Sequence, residues 1–236
     1  MENLHPVLPP EGNNDRLLPD KLGRRKFLAY VGLAASAATL AACKKDKDEN
    51  NMPPAGSIDL GTGDVGILNY AFALEQLEAA FYTQVVASPY SGITAGELAL
   101  LTDIRDHEVA HREFFKAALG AKAIVSLEVN FSTVNFGSRD SVLGTAKAFE
   151  DLGVSAYNGA GQLITDPAYL LLAGKIVSVE ARHAALIRDL ISNGSFADST
   201  VVNASGLDLA SKPAEVLMAA KPFLKSVLYA GNLPTV

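Results

Sequence analysis

The chain has 236 residues, of which 49% are hydrophobic and 19% charged, a balance that favours a packed core over disorder. Its net charge of −6 and isoelectric point near 5.2 argue against a nucleic-acid partner, because such proteins usually carry a basic patch. Cys43 is the only cysteine, so neither an intrachain disulfide nor a cysteine zinc site can form. Any metal must therefore be bound by carboxylate and imidazole groups.

An apolar run of about 16 residues, 27–42, follows Arg24 and Arg25. A membrane-spanning helix needs about 20 residues, so this run is short for one. The paired arginines with the alanine-rich run resemble a twin-arginine export signal, and the residues ending at Cys43 resemble the lipobox of bacterial lipoproteins. We predict that residues 1–42 form a signal peptide cleaved before Cys43, and that a lipid on Cys43 attaches the protein to a membrane. An uncleaved membrane anchor is the alternative.

Residues 43–61 are charged, contain prolines and have no hydrophobic period, which predicts a flexible linker. The linker would hold the folded domain, predicted over residues 62–236, a short distance from the membrane. Together with the export signal, it predicts a location in the cell envelope, periplasmic or surface-facing.

Hydrophobic periodicity and capping residues predict four long helices and one short one. The first is apolar around nearly its whole circumference, which is typical of a buried helix. Thr94 begins the second, and Asp166 followed by Pro167 begins the fourth. Residues 121–137 alternate roughly between apolar and polar, which predicts a long extended connection along the bundle. The predicted helices span residues 66–86, 94–119, 138–164, 166–193 and 213–220.

Two Glu-x-x-His motifs stand in the second and fourth helices, as Glu108 with His111 and Glu180 with His183. Residues three apart lie on one face of a helix, so each pair can bind one metal ion together. A single motif of this kind is common by chance. One in each helix pair is a much more specific pattern, and it predicts a metal site made by both pairs.

Each helix pair also supplies one glutamate from its first helix, Glu75 at 33 residues before Glu108 and Glu150 at 30 before Glu180. Burying four carboxylates together is strongly unfavourable unless their charge is compensated. Two divalent cations with two neutral imidazoles would bring the group near neutrality. Oxygen and imidazole ligands suit iron or manganese. We therefore predict two iron or manganese ions in a dinuclear centre.

The motifs around these residues resemble the ferritin-like superfamily, in particular its desiccation-associated members, over residues 62–225. The resemblance implies an all-α, ferritin-like four-helix bundle with a long crossover between helices 2 and 3 and a short C-terminal helix. It also implies a role for each ligand. Glu75 and Glu150 would be terminal ligands, Glu108 and Glu180 would bridge the two metals, and His111 and His183 would complete one metal each.

Further residues lie near the predicted ligands. Glu78, one turn after Glu75, could replace it or add a ligand. Tyr82 and Tyr157 follow Glu75 and Glu150 by seven residues and share their helix faces, so they are either hydrogen-bond donors to the ligands or ordinary core tyrosines.

Other polar neighbours are predicted to lie outside the site. His107 directly precedes Glu108 and so points about 100° away from it, as a surface or interhelix histidine. Asp151 and Glu113 are predicted to be solvated or in surface ion pairs.

Two functions follow from this pattern. The first is an exported, lipid-anchored protein whose dinuclear centre reacts with dioxygen or peroxide in stress protection, as a ferroxidase, peroxidase or catalase-like enzyme. The alternative is a non-enzymatic envelope lipoprotein for stress or interactions, with a structural or vestigial metal site. A closed storage cage fits less well, because a lipid anchor on every subunit would crowd its shell. The pattern leaves open the choice of metal and the oligomeric state.

Overall fold

The computed structural model describes residues 52–235. The predictions about Arg24, Arg25, Cys43 and the signal peptide of residues 1–42 concern positions outside the described residues. Between residues 52 and 235, none of the helices combines the length and apolar character that crossing a membrane requires.

Four long helices and one short helix make up most of the domain, with two short strands at its ends. In chain order, the elements are β1 (Ile58–Asp59), α1 (Gly63–Ala87), α2 (Ala95–Leu119), α3 (Arg139–Gly161), α4 (Pro167–Ile191), α5 (Pro213–Ala220) and β2 (Leu228–Tyr229). Single 3-10 turns follow α2 and α5, at Gly120–Lys122 and Lys221–Phe223. The all-α prediction is confirmed, and the five predicted helices are all present.

Local signals explain where the helices begin. The Thr94 hydroxyl accepts a hydrogen bond from the Glu97 N–H at 3.1 Å, which caps α2. The Asp166 carboxylate accepts one from the Ala168 N–H at 2.8 Å, and Pro167 occupies the first position of α4. These caps satisfy backbone donors that a helix leaves unpaired at its start.

The helices pack as two pairs, α1 with α2 and α3 with α4, and the short connection within each pair makes its two helices antiparallel. Most residues of α1 are buried, as its apolar circumference predicts. The connection from α2 to α3 runs back along α1. The Asn69 side chain accepts from the Ile124 N–H at 3.0 Å, and the Gln76 side chain accepts from the Leu127 N–H at 2.9 Å. These bonds satisfy the backbone of an extended crossover, which lies along the bundle as predicted.

The folded domain begins before residue 62, which corrects the predicted end of the linker. Ile58–Asp59 pairs in parallel with Leu228–Tyr229, and Leu60 is completely buried in the core. The linker prediction relied on local composition, whereas this pairing depends on a partner far along the chain. Residues 43–51 of the predicted linker lie outside the described part of the chain.

The segment after α4 is held by a buried arginine. Arg188 is 2% exposed, and it donates to both carboxylate oxygens of Asp151 at 2.7 and 2.8 Å and to Asp198 at 3.2 Å. Asp151 also pairs with the partly exposed Lys147 at 3.1 Å, so the predicted surface pair is present, and the buried guanidinium of Arg188 is a second partner that the prediction did not include. Glu113 does form an exposed pair, with Arg112 at 2.8 Å.

Candidate metal centre

Four glutamates, one from each long helix, meet inside the bundle. Glu75 comes from α1, Glu108 from α2, Glu150 from α3 and Glu180 from α4, and each is completely buried. The i, i+3 spacing on α2 and α4 brings the two histidines of the Glu-x-x-His motifs to the same place. All six predicted ligands therefore lie in one cluster.

The first half of the cluster is centred on His111. Its Nδ1 atom lies 2.9 Å from Glu180 Oε1, 3.4 Å from Glu75 Oε2 and 3.7 Å from Glu108 Oε2. These four residues offer ligand atoms that all lie within 4.8 Å of one another. Three carboxylates and one imidazole converging at this spacing could hold one cation.

The second half repeats the first around His183. Its Nδ1 atom lies 2.9 Å from Glu108 Oε1, 3.5 Å from Glu150 Oε2 and 3.9 Å from Glu180 Oε2. These residues also offer ligand atoms within 4.8 Å of one another. Glu108 and Glu180 belong to both halves, and each presents one oxygen to His111 and the other to His183.

The buried atoms of the cluster do not satisfy one another. The Nδ1 atoms of both histidines and both oxygens of Glu108 and Glu180 make no hydrogen bond within residues 52–235. Their short separations are contacts without hydrogen-bond geometry. Buried polar atoms without partners are costly. Cations at the two convergence points would satisfy them, so the side chains fit a metal centre.

A sequence model of the family described as ferritin-like domain matches residues 63–193, more than half of the chain. The chain belongs to the ferritin-like domain family. The match spans α1 to α4 and so includes all six residues of the cluster. None of the curated proteins matches the chain.

Two tyrosines bind Glu75 and Glu150, the two glutamates that each belong to one half of the cluster. The Tyr82 hydroxyl donates to Glu150 Oε1 at 2.5 Å, and the Tyr157 hydroxyl donates to Glu75 Oε1. Both tyrosines are hydrogen-bond donors to the cluster, one of the two roles considered for them. Each bonds the glutamate of the other helix pair rather than the one on its own helix.

Glu78 lies beside the cluster as a fifth buried carboxylate, 4% exposed. A Cβ atom at residue 153 would lie 3.2 Å from Glu78 Oε1 and 3.6 Å from Glu180 Oε2, so Gly153 leaves the space that Glu78 occupies. Burial and the charge of Glu180 raise the pKa of Glu78 well above its usual range. Glu75, rather than Glu78, is the α1 carboxylate that converges with His111.

His107 is an interhelix histidine, as predicted, but its partner His183 could not be foreseen from the sequence. Its Nδ1 and His183 Nε2 share a hydrogen bond of 2.8 Å, and the two rings stack at a centroid distance of 5.1 Å. The bond leaves His183 Nδ1 directed at the carboxylates and fixes the orientation of the ring. On α2, His107 points away from Glu108. It reaches His183 only because α2 packs beside α4.

Burial and the charges of neighbouring side chains shift the pKa values of the cluster when no metal is bound. Burial raises the pKa of Glu75 to about 8. Burial also acts to raise the pKa of Glu108, but the close imidazoles of His111 and His183 outweigh it and lower that pKa to about 2. Burial disfavours imidazolium, yet the surrounding carboxylates raise the pKa of His111 to about 12 and of His183 to about 10. The chain by itself thus retains protons where cations would bind.

Proposed function

We propose that this ferritin-like domain binds a carboxylate-bridged pair of iron or manganese ions. One observation carries the proposal: Glu108 and Glu180 each direct one oxygen toward the His111 half and the other toward the His183 half. A carboxylate shared in this way suits a bridging ligand. Glu75 and Glu150 would then be terminal ligands, and each histidine would complete one site.

The donor set favours iron or manganese, since it offers only oxygen and imidazole nitrogen. Two such ions together can exchange two electrons with dioxygen or a peroxide. The chain itself supplies fixed carboxylate positions, through Tyr82 and Tyr157, and a fixed imidazole, through His107. The four glutamates are completely buried, so their carboxylates have no contact with bulk water. We therefore propose oxygen or peroxide chemistry in stress protection, as in a desiccation-associated ferritin-like protein.

Metal stoichiometry tests the dinuclear centre. The purified protein is reconstituted anaerobically with iron(II) or manganese(II), and bound metal is measured by elemental analysis. Two ions per chain are expected, with one lost in either terminal variant, Glu75→Gln or Glu150→Gln, and both weakened in Glu108→Gln. The matched control is Glu113→Gln, since Glu113 lies on α2 but in an exposed pair. Fewer than one metal per chain in the unaltered protein would overturn the proposal.

Turnover separates a reactive centre from a structural one. Consumption of hydrogen peroxide and oxidation of added ferrous ion are followed with the reconstituted protein and with Glu180→Gln. A reactive centre loses turnover in the variant. If the unaltered protein shows no turnover and the variant only lowers the melting temperature, the metal is structural and the non-enzymatic alternative holds.

We also propose that the protein is exported through its paired arginines and anchored to the membrane by a lipid on Cys43. The support is the order of Arg24, Arg25, the apolar run and the cysteine in the sequence. Labelling cells with a radioactive fatty acid tests it. The unaltered protein should be labelled, and Cys43→Ser should remove the label. Substituting both arginines with lysine should leave the precursor uncleaved, and labelled Cys43→Ser protein would exclude the anchor.

A further inference from the structure

A small apolar pocket lies beside the candidate metal centre, at the end of the bundle where α1 and α4 begin. All four long helices line it. Its wall includes Leu68, Ala71, Phe115, Ala118, Ala160 and Ala173. Ala71 and Ala160 are buried, whereas Ala118 and Ala173 are partly exposed, so the pocket extends from the interior toward the surface.

The pocket has room for one very small molecule. A cavity needs about 10–15 Å³ to hold a single water-sized molecule. By the same measure the interior volume is about 20 Å³. That volume admits a diatomic molecule and excludes a sugar, a nucleotide or an alkyl chain.

The lining of the pocket selects against polar occupants. Its exposed surface is almost entirely apolar. Hydrogen peroxide and water both need several hydrogen bonds, and burying them without partners is costly. Dioxygen is apolar and makes no such demand, as with other apolar guests that enter dry protein cavities.

The pocket shares a residue with the candidate centre. The Tyr157 ring forms part of its wall, and the Tyr157 hydroxyl donates to the terminal carboxylate Glu75. Leu74, which directly precedes Glu75 on α1, also lines it. An occupant of the pocket is therefore separated from Glu75 by little more than one tyrosine side chain.

We propose that this pocket binds dioxygen and delivers it to the metal centre, so that dioxygen rather than peroxide is the oxidant. The inference rests on the proposed function and deepens it by naming the substrate. The apolar gas site itself needs no metal, because side chains of this protein form it entirely.

Xenon tests the gas site without any metal. Metal-free crystals are placed under xenon pressure, and xenon density is expected between Ala71, Phe115 and Ala160. Ala160→Leu should remove that density by filling the pocket. Ala118→Leu fills it from the partly exposed rim and serves if the buried substitution prevents folding. Ala117→Leu is the matched control, because Ala117 is adjacent on α2 and exposed. Absence of xenon from the unaltered protein, or an ordered water there instead, would refute the gas site.

Kinetics test delivery to the centre. In the iron-loaded protein, Ala118→Leu should raise KM for dioxygen by about tenfold or more with kcat little changed, the pattern of lost substrate binding. Ferrous oxidation by hydrogen peroxide should change little in the same variant, and Ala117→Leu should leave both reactions unchanged. Equal effects on both oxidants, or no effect on dioxygen, would overturn the proposal. Failure to bind metal would instead count against the proposed function, and the xenon result would stand.

Discussion

At the scale of single residues, Glu75 and Glu150 are each fixed by a tyrosine from the other helix pair. Tyr82 on α1 donates to Glu150 on α3, and Tyr157 on α3 donates to Glu75 on α1. The bonded oxygen of each glutamate is thereby turned to its tyrosine. The other oxygen, Oε2 in both cases, remains directed at the histidine of its half. The tyrosines thus orient these two carboxylates as well as linking the two helix pairs.

Removing one of these hydroxyls should weaken one metal site and spare the other. Tyr82→Phe should lower affinity at the site of Glu150 and His183 by about 10–100-fold, the usual cost of losing a partner of a metal ligand. Competition with a chelator, followed by elemental analysis, measures each site. Tyr90→Phe is the control, since Tyr90 is also buried but lies in the α1–α2 connection. Equal loss in Tyr82→Phe and Tyr90→Phe would show that the hydroxyl bond plays no part.

The crosswise tyrosine bonds mark a limit of sequence reasoning. The convergence of the six side chains could be predicted because spacing along a helix determines which residues share a face. The same reasoning placed Tyr82 on the face of Glu75. Which glutamate a hydroxyl reaches depends on how two helices cross, and spacing within one helix does not contain that information. The bond from His107 to His183 was missed for the same reason.

At the scale of elements, the C-terminal segment makes one very close approach to α3. The Ser211 N–H donates to the Ser155 carbonyl at 2.9 Å. A Cβ atom at residue 159 would lie only 1.9 Å from the Ser211 carbonyl oxygen, so only glycine fits there. The segment continues into α5, whose Val216 and Ala220 are completely buried, and it is therefore part of the core.

Gly159→Ala should accordingly destabilise the domain, by about 1–3 kcal/mol as for other overpacked positions. Gly144→Ala is the matched control, because residue 144 lies on the same helix and a Cβ there meets nothing within 4 Å. That control should be neutral or up to about 1 kcal/mol more stable, since alanine favours helix over glycine. Denaturant unfolding measures both. If Gly159→Ala is as stable as Gly144→Ala, the segment does not pack tightly on α3.

The elements themselves were predictable to different degrees. The start of α4 was predicted at its observed place because Asp166 and Pro167 act locally. The pairing of Ile58–Asp59 with Leu228–Tyr229 was not, because each strand has two residues and its partner lies at the other end of the domain. Short strands have no period of their own, so tertiary contacts alone determine them.

At the scale of the whole molecule, the buried cluster couples folding to proton binding. In the folded chain without metal, His111 and His183 have pKa values raised from 6.5 to about 12 and about 10 by the carboxylates around them. The unfolded chain releases these protons near pH 6.5. Burial also raises the pKa of Glu75 from 4.5 to about 8. Up to that pH, Glu75 therefore also holds a proton in the folded chain that it loses in the unfolded chain. Above pH 6.5 these three side chains therefore hold more protons in the folded chain than in the unfolded chain.

The stability of the metal-free protein should fall as the pH rises between about pH 6 and pH 9, by about 1.4 kcal/mol per pH unit for each excess proton. Glu108 does not oppose this trend, because its lowered pKa, about 2, makes a contribution that is already complete above about pH 4.5. Bound cations would replace the protons, so the metal-loaded protein should show a much flatter profile. Melting temperatures of both forms across this range measure the difference. A metal-free profile that is flat or rises with pH would show that the folded cluster holds no excess protons. The proposal that bound cations replace such protons would then be wrong.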